Sequence, residues 1–415
     1  MRAEPPVAAR DALASAVAFC IEHIRRIVAE IGPRPPGSPQ ELRSQEYLER
    51  LLRAMDVEAR LEPFSVAPKA FMGFVPITGA LLLAALPLYW WLPPLALACV
   101  VAALGILVGE LVLYRQVVDP LFPRATSHNL VATLRPRGEV RRILLLGGHC
   151  DSAFEWRYHY LGRAPLVAVV GGTLVGALAV LGASAANVVV NGAHGPGAGS
   201  ALAAAGWGLV AFAPCFLLVM GFSNFRRVSP GANDNLTGVL LSLALVRVLR
   251  ERGIELEHTE LRLLNTGSEE AGLRGARAYA EAHRVELTAT DSLYVALDTF
   301  RDLAHMKVYD RDRNGTLVHD RDGARLLQEA ARRAGLELPF GSIPVGATDA
   351  AAFTQAGLRA IALVAMDPTP PRWYHTRLDA PELLSPECIE AGLRILVELV
   401  RDVDARGLRA VAPIP

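Results

Sequence analysis

Four long apolar stretches, set in two pairs within an otherwise polar chain, constrain this sequence more than any other feature. The first pair runs from Phe74 to Leu113 and meets at Trp90-Trp91-Leu92-Pro93-Pro94. The second runs from Leu166 to Phe222 and is divided by a Gly/Ala/Asn-rich loop, Asn187 to Ser200. Each stretch approaches the roughly 20 residues that cross a bilayer as a helix, and Glu110 is the sole Asp, Glu, Lys or Arg within them. A soluble domain in a chain of 415 residues has too little interior to hide four such helices beside its own core. Trp90 and Trp91 at one turn, and Trp156, Tyr158 and Tyr160 ahead of the third stretch, suit a membrane–water interface. Gly172-x-x-x-Gly176 would let two helices approach closely. The pattern reads as two inserted transmembrane hairpins, with the lipid bilayer as a partner.

Arg60 and Lys69 precede the first hairpin, and Arg115 and Arg124 follow it; Arg157 and Arg163 precede the second, and Arg226 and Arg227 follow it. Neither hairpin turn contains Lys or Arg. The positive-inside rule therefore puts the polar domain and both termini on the cytoplasmic side. The N-terminal stretch MRAEPPVAARDALASAVAF is too broken by charge and proline for a signal peptide. With 42 basic and 42 acidic residues, no polyelectrolyte partner is implied, which argues against nucleic acid. Five scattered cysteines form no C-x-x-C pair and favour a reducing compartment over a disulfide framework.

With the hairpins set aside, the rest alternates. Helices are expected near 11–31, 39–55, 235–252, 271–284, 322–335, 350–356 and 386–404, and strands at 129–134, 143–147, 260–265, 292–298 and 359–366. This is an α/β pattern: a mainly parallel mixed sheet with helices on both faces. The expected organisation is 1–73, the first part of the polar domain; 74–114, hairpin one; 115–164, the domain continued; 165–222, hairpin two; and 223–415, the remainder.

In such sheets ligand sites form beyond the carboxyl ends of the strands, and the chemistry-bearing residues fall there. Strand 143–147 runs into His149 and Asp151, strand 260–265 into Gly267-Ser268-Glu269-Glu270, and strand 292–297 ends at Asp298. Asp234 opens a helix, and Trp373-Tyr374-His375 follows the strand 359–366 and a proline-rich loop. Two imidazoles with several carboxylates and no thiol suit zinc, or less selectively cobalt or manganese. The set is too rich for one tetrahedral ion and suits two that share a carboxylate. In an extended stretch His149 and Asp151 point together while Cys150 points away, so Asp151 can orient the imidazole. Of the adjacent glutamates, one can ligate while the other takes a proton from water.

In this order the pieces resemble the co-catalytic zinc exopeptidases of metallopeptidase family 28, which includes bacterial leucyl aminopeptidases and glutamate carboxypeptidase II. The matching segments are Gly32-Pro33-Arg34-Pro35-Pro36-Gly37-Ser38, SHNLVATL, GGHCDS, PGANDNLTG, GSEEAGLRGA, ALD, TDAAAFTQAG and WYHTRLD, and they span nearly the whole chain outside the hairpins. The resemblance implies the zinc-exopeptidase fold and two Zn2+ ions. One would be held by His149 and Asp298 and the other by Glu270 and His375, with Asp234 bridging. It further implies Glu269 as general base, Asp151 as partner of the first histidine, a cis Asp234–Asn235 bond, and Tyr374 as either an oxyanion donor or a packing aromatic. Both hairpins depart from the family pattern. So does Thr348-Asp349-Ala350, where the family reads Ser-Asp-His, a difference that bears on substrate contacts rather than on metal ligands.

The implied function is a membrane-anchored di-zinc exopeptidase acting on peptides, an aminopeptidase first, in which metal-bound hydroxide attacks the carbonyl and Glu269 carries the proton. A carboxypeptidase, dipeptidase or amide hydrolase on the same fold, or a non-enzymatic membrane scaffold derived from it, are the alternatives. The expected location is a bacterial inner (plasma) membrane with the catalytic domain facing the cytoplasm; the oligomeric state stays open. One motif is a decoy. Asp310-Arg311-Asp312-Arg313-Asn314-Gly315 imitates a calcium loop, but its twelfth position is Arg321 instead of a bidentate glutamate, and a β-hairpin turn is expected there.

Overall fold

The computed structural model of the chain describes residues 7–369 and 371–408. The first six residues of the N-terminal stretch and Pro370 of the proline-rich loop lie outside the described residues. The chain divides into two compact units: the described residues of Met1–Pro68, Arg124–Ala153 and Val228–Pro415, and those of Lys69–Pro123 and Phe154–Arg227.

The first unit is built on an eight-stranded sheet. Its strands are β1 (Glu58–Val66), β2 (Ala125–Leu134), β3 (Arg142–Gly147), β4 (Thr259–Asn265), β5 (Asp291–Phe300), β6 (Met306–Tyr309), β7 (Phe340–Gly341) and β8 (Ala360–Ala365), in the order β1-β2-β4-β3-β5-β8-β6-β7. The central four, β4-β3-β5-β8, are parallel; β1 and β2 run against their neighbours, and β6 runs antiparallel to β8 but parallel to β7. Strand β1 is absent from the expected set because only Ala59 and Val66 of its nine residues are buried, too few for a clear alternation.

Alternation along β5 shows why both faces are covered. Leu293, Val295 and Leu297 join the main core, which also holds residues of α1 (Val7–Arg26), α2 (Pro39–Ala54), α3 (Leu236–Glu251), α5 (Arg321–Arg333) and α7 (Pro386–Arg406). Tyr294 points the other way and stacks on Phe353 of α6 (Asp349–Gln355), ring centroids 4.2 Å apart; Phe353 in turn lies 6.1 Å from Tyr279 of α4 (Arg274–Ala282). The expected calcium-loop decoy is a hairpin: Arg311–Asp312 pairs antiparallel with Leu317–Val318, and Arg313, Asn314 and Gly315 make the turn at positive φ. The Asp312 carboxylate accepts from Thr348 and lies 3.2 Å from His319 Nε2.

The second unit holds four helices long and apolar enough to cross a membrane: Ala70–Trp91, Pro93–Val112, Arg163–Asn191 and Ala201–Val219. They pack through Leu82, Ala85, Tyr89, Ala96, Val100, Val180 and Phe216, while Trp91, Leu178, Val189, Val190 and Trp207 face outward. At Gly176 a Cβ would lie 2.8 Å from the rings of Phe212 and Phe216, so the glycine is what lets the third and fourth helices close up. The third helix runs on to Asn191, although its last residues were expected to belong to the loop. Two asparagines at that end find partners inside the bundle: Asn191 donates to Asn187 Oδ1 and Asn187 donates to the Tyr89 carbonyl, each at 2.9 Å.

Candidate metal centre

The carboxyl ends of β3, β4, β5 and β8 deliver the expected residues to one place. Beyond β3, the bridge between His149 and Thr266 continues the pairing, with Cys150 N donating to Thr266 O at 2.8 Å. This keeps the segment extended. Cys150 turns into the core, its thiol donating to Ser44 Oγ, and His149 faces the opposite side.

Asp234 is placed by Asn235. The Asn235 side chain caps α3 by accepting from Gly238 N at 3.0 Å, accepts from Thr299 N at 3.1 Å, and donates to Leu297 O at 2.8 Å. One amide thus ties the helix start to the end of β5, which carries Asp298. The Asp234–Asn235 peptide bond is cis. From the far side Asp379 accepts from Asn233 N, Asn233 Nδ2 and Asp234 N. Burial, then the charge of Asp234, pushes Asp379 up to about 7.

Ligand-type atoms of His149, Asp234 and Asp298 lie within 4.8 Å of one another, and so do those of Asp234, Glu270 and His375. Asp234 belongs to both groups, with Oδ1 at 3.2 Å from His149 Nε2 and Oδ2 at 3.0 Å from His375 Nε2. Glu270 Oε1 is 3.2 Å from His375 Nε2, and Glu269 Oε2 is 3.8 Å from His149 Nε2. Asp151 is fully buried. Its carboxylate accepts from the backbone N–H groups of Glu269 and Glu270, each at 3.0 Å, and stands 3.5 Å from His149 Nδ1. Tyr374 stacks on His375, with ring centroids 3.9 Å apart. Asp349, of the segment that departs from the family pattern, accepts from Thr266 Oγ1 at 2.5 Å.

The electrostatics draw positive charge into the cluster. Burial alone would lower the pKa of His149, but Glu269, Asp151 and Asp234 outweigh it and raise the imidazole well above its usual value. Burial opposes a raised pKa at His375 too, yet Glu270 and Asp234 carry it to about 10. Asp234 would be raised by burial but is held below the usual carboxylate range by His149 and His375. Burial pushes Asp298 up to about 6 and Glu269 well above its usual range. Carboxylates crowded in a buried site around two imidazoles form a nitrogen-and-oxygen donor set that fits a divalent ion of the zinc type.

Three supporting residues went unassigned from sequence alone: Arg34, Glu41 and Asp379. Each lies in or beside a quoted motif, but each acts through contacts more than a hundred residues away, which no local spacing reports.

The model for Peptidase family M28 matches residues 129–400. Aminopeptidase YwaD of Bacillus subtilis (strain 168) is 29% identical over 178 residues, covering 39% of this chain and 35% of that protein. The match therefore spans about a third of that relative's length. Among solved structures, an aminopeptidase from Aneurinibacillus sp. strain AM-1 superposes with a TM-score of 0.57 at 16% identity, covering 97% of this chain and 98% of the other. A zinc aminopeptidase from Bacillus subtilis, BSAP, gives 0.58 at 15% identity over 96% and 98%. At such identities the likeness is one of fold: the chain has the zinc-aminopeptidase architecture.

Proposed function

The chain belongs to peptidase family M28, and on that premise we propose that it is a membrane-anchored zinc exopeptidase, specifically an aminopeptidase. The supporting observation is the pair of ligand groups, His149/Asp234/Asp298 and Asp234/Glu270/His375, that share one carboxylate beside Glu269. In this reading each group would hold one zinc ion, with Asp234 common to both groups. The ions supply Lewis acidity, polarising the scissile carbonyl and lowering the pKa of water.

The chain's own residues do the rest. Glu269 takes the proton of the attacking water and returns it to the leaving nitrogen. Asp151 fixes the backbone of both glutamates and faces the His149 imidazole. Burial and the surrounding carboxylates raise the pKa of Tyr374, so its phenol keeps its proton and donates to the carbonyl oxygen as negative charge develops. The four apolar helices anchor the chain in a bacterial inner membrane, and the basic flanks orient both termini to the cytoplasm.

The test is the metal content of detergent-purified protein together with turnover of aminoacyl amides and N-blocked dipeptide amides, with Glu269→Gln as control. About two zinc ions per chain, turnover of free-amine substrates alone, and its loss in Glu269→Gln are expected. Turnover of blocked substrates alone would move the assignment to another amide hydrolase on this fold. Absence of both metal and turnover would leave a scaffold.

A further inference from the structure

Three successive backbone N–H groups in the segment bearing the two glutamates are held by two buried carboxylates. Glu269 N and Glu270 N donate to Asp151, each at 3.0 Å. Ser268 N, just before them, donates to Glu41 Oε1 at 2.6 Å, and Ser268 Oγ lies 3.1 Å from the same oxygen. Ser268 sits at φ 52, in the left-handed region, a conformation that must be held in place by its neighbours.

We infer that Glu41 is a positioning residue for Glu269 and Glu270: its carboxylate, on a helix more than two hundred residues away in sequence, fixes the left-handed turn from which both glutamates reach the site. The inference rests on the proposed roles of those two residues.

By sequence Glu41 has a smaller task. It stands three residues after Ser38, whose Oγ accepts from Glu41 N at 3.1 Å, and its Oε2 accepts from Gly37 N at 2.9 Å, so it belongs to the start of α2. That task uses one oxygen. The other is given to Ser268, and Oε2 also accepts from Ser127 Oγ at 2.8 Å. Glu41 is 1% exposed, and four donors converge on its two oxygens. Each oxygen faces one backbone N–H, which cannot rotate away. A glutamine therefore fails in either orientation, because its NH2 would confront Ser268 N–H or Gly37 N–H. An acceptor is required at both oxygens of this side chain, whereas a simple helix cap tolerates glutamine.

The test uses the full-length chain in detergent with zinc. Glu41→Gln is expected to lower kcat for leucine p-nitroanilide by roughly 30–100-fold with KM nearly unchanged, since a misplaced base loses transition-state contacts and not ground-state binding. It should also weaken zinc binding about 10-fold, measured by competition with a chelating dye, because Glu270 is carried on the same turn. Ser38→Ala removes a cap from the same helix and should lower Tm while leaving kcat and zinc affinity unchanged. The inference is overturned if Glu41→Gln keeps wild-type kcat and zinc affinity, or if Ser38→Ala reproduces its losses. If Glu41→Gln does not fold, Ser127→Ala decides: a fall in kcat of about 3-fold or more supports the role, and an unchanged kcat and zinc affinity refutes it. Should Glu269→Gln retain full activity, the assignment of Glu269 as the base fails first, and zinc affinity alone then judges Glu41.

Discussion

The Arg34 guanidinium donates through Nε to the Cys150 carbonyl at 2.8 Å, and its other nitrogens reach Pro230 O at 2.9 Å, Gly231 O at 2.8 Å and Gly32 O at 3.1 Å. Arg34 is fully buried. Cys150 lies between His149 and Asp151, and Gly231 is three residues ahead of Asp234. These are also the segments where the first unit breaks off, at Ala153, and resumes, at Val228; Ser229 N closes the gap on Ala153 O at 2.8 Å. One planar cation thus sets the spacing of the two segments that supply His149 and Asp234. Arg34→Met should cost about 3–5 kcal/mol, because buried carbonyls lose a charged donor and nearby carboxylates lose their counter-charge. Arg34→Lys should recover only part of it, since a point donor cannot span the same acceptors. Chemical denaturation with zinc present measures both.

Gly238 is a second spacing element. A Cβ there would lie 2.1 Å from Leu297 O, so α3 sits on the end of β5 at a distance only glycine allows. Gly238→Ala must push Asp234 away from Asp298. We expect a stability loss of about 1–3 kcal/mol and zinc affinity at least about 10-fold weaker, read by thermal unfolding and dye competition.

In the apolar unit, the Tyr89 carbonyl looks four residues on to Pro93, which has no N–H, and the Asn187 amide supplies the missing donor at 2.9 Å. Asn187→Leu should cost about 0.6–1.7 kcal/mol in detergent or bilayer. Turnover and zinc content should not change, which a parallel assay would establish.

At the edge of the sheet, His283 Nε2 lies 3.0 Å from Glu62 Oε2, and His283 Nδ1 lies 3.3 Å from Glu286 Oε2. The hydrogen bond with Glu62 is the main reason the imidazole pKa rises above its ordinary 6.5. Burial would raise Glu62, but the bond to His283 outweighs it and lowers the carboxyl below its ordinary 4.5. The histidine's contribution is complete below 6.5 and is lost as pH climbs through its raised value. The glutamate's is complete above 4.5 and is lost as pH falls through its lowered value. The pair is therefore strongest between those limits. His283→Gln should lower stability by about 0.5 kcal/mol there, a figure reduced for solvent screening, and the difference should shrink in the alkaline range. Thermal melts of both proteins across pH 5 to about 9 would show it.

Much of the architecture was legible because it is local. A run of apolar residues long enough to cross a bilayer or a two-residue alternation is set by neighbours in sequence. The sheet's parallel centre follows from helices placed between strands, and the strand ends then mark where ligands collect. Strand β1 escaped because an edge strand buries few residues, and the extra turns of the third apolar helix escaped because Asn187 finds its partner on another helix.

By itself, then, the sequence determined the chemical types and strand-end positions of the site residues and the two apolar insertions, because periodicity and composition act over a few residues. Tertiary structure decided the spacing of those residues. The positions of Asp234 beside Asp298, of His149 relative to Asp234, and of Ser268 ahead of the two glutamates depend on Asn235, Arg34 and Glu41. Each of these is a polar side chain that, once buried, must find partners wherever the fold brings them, and no pattern along the chain encodes that choice.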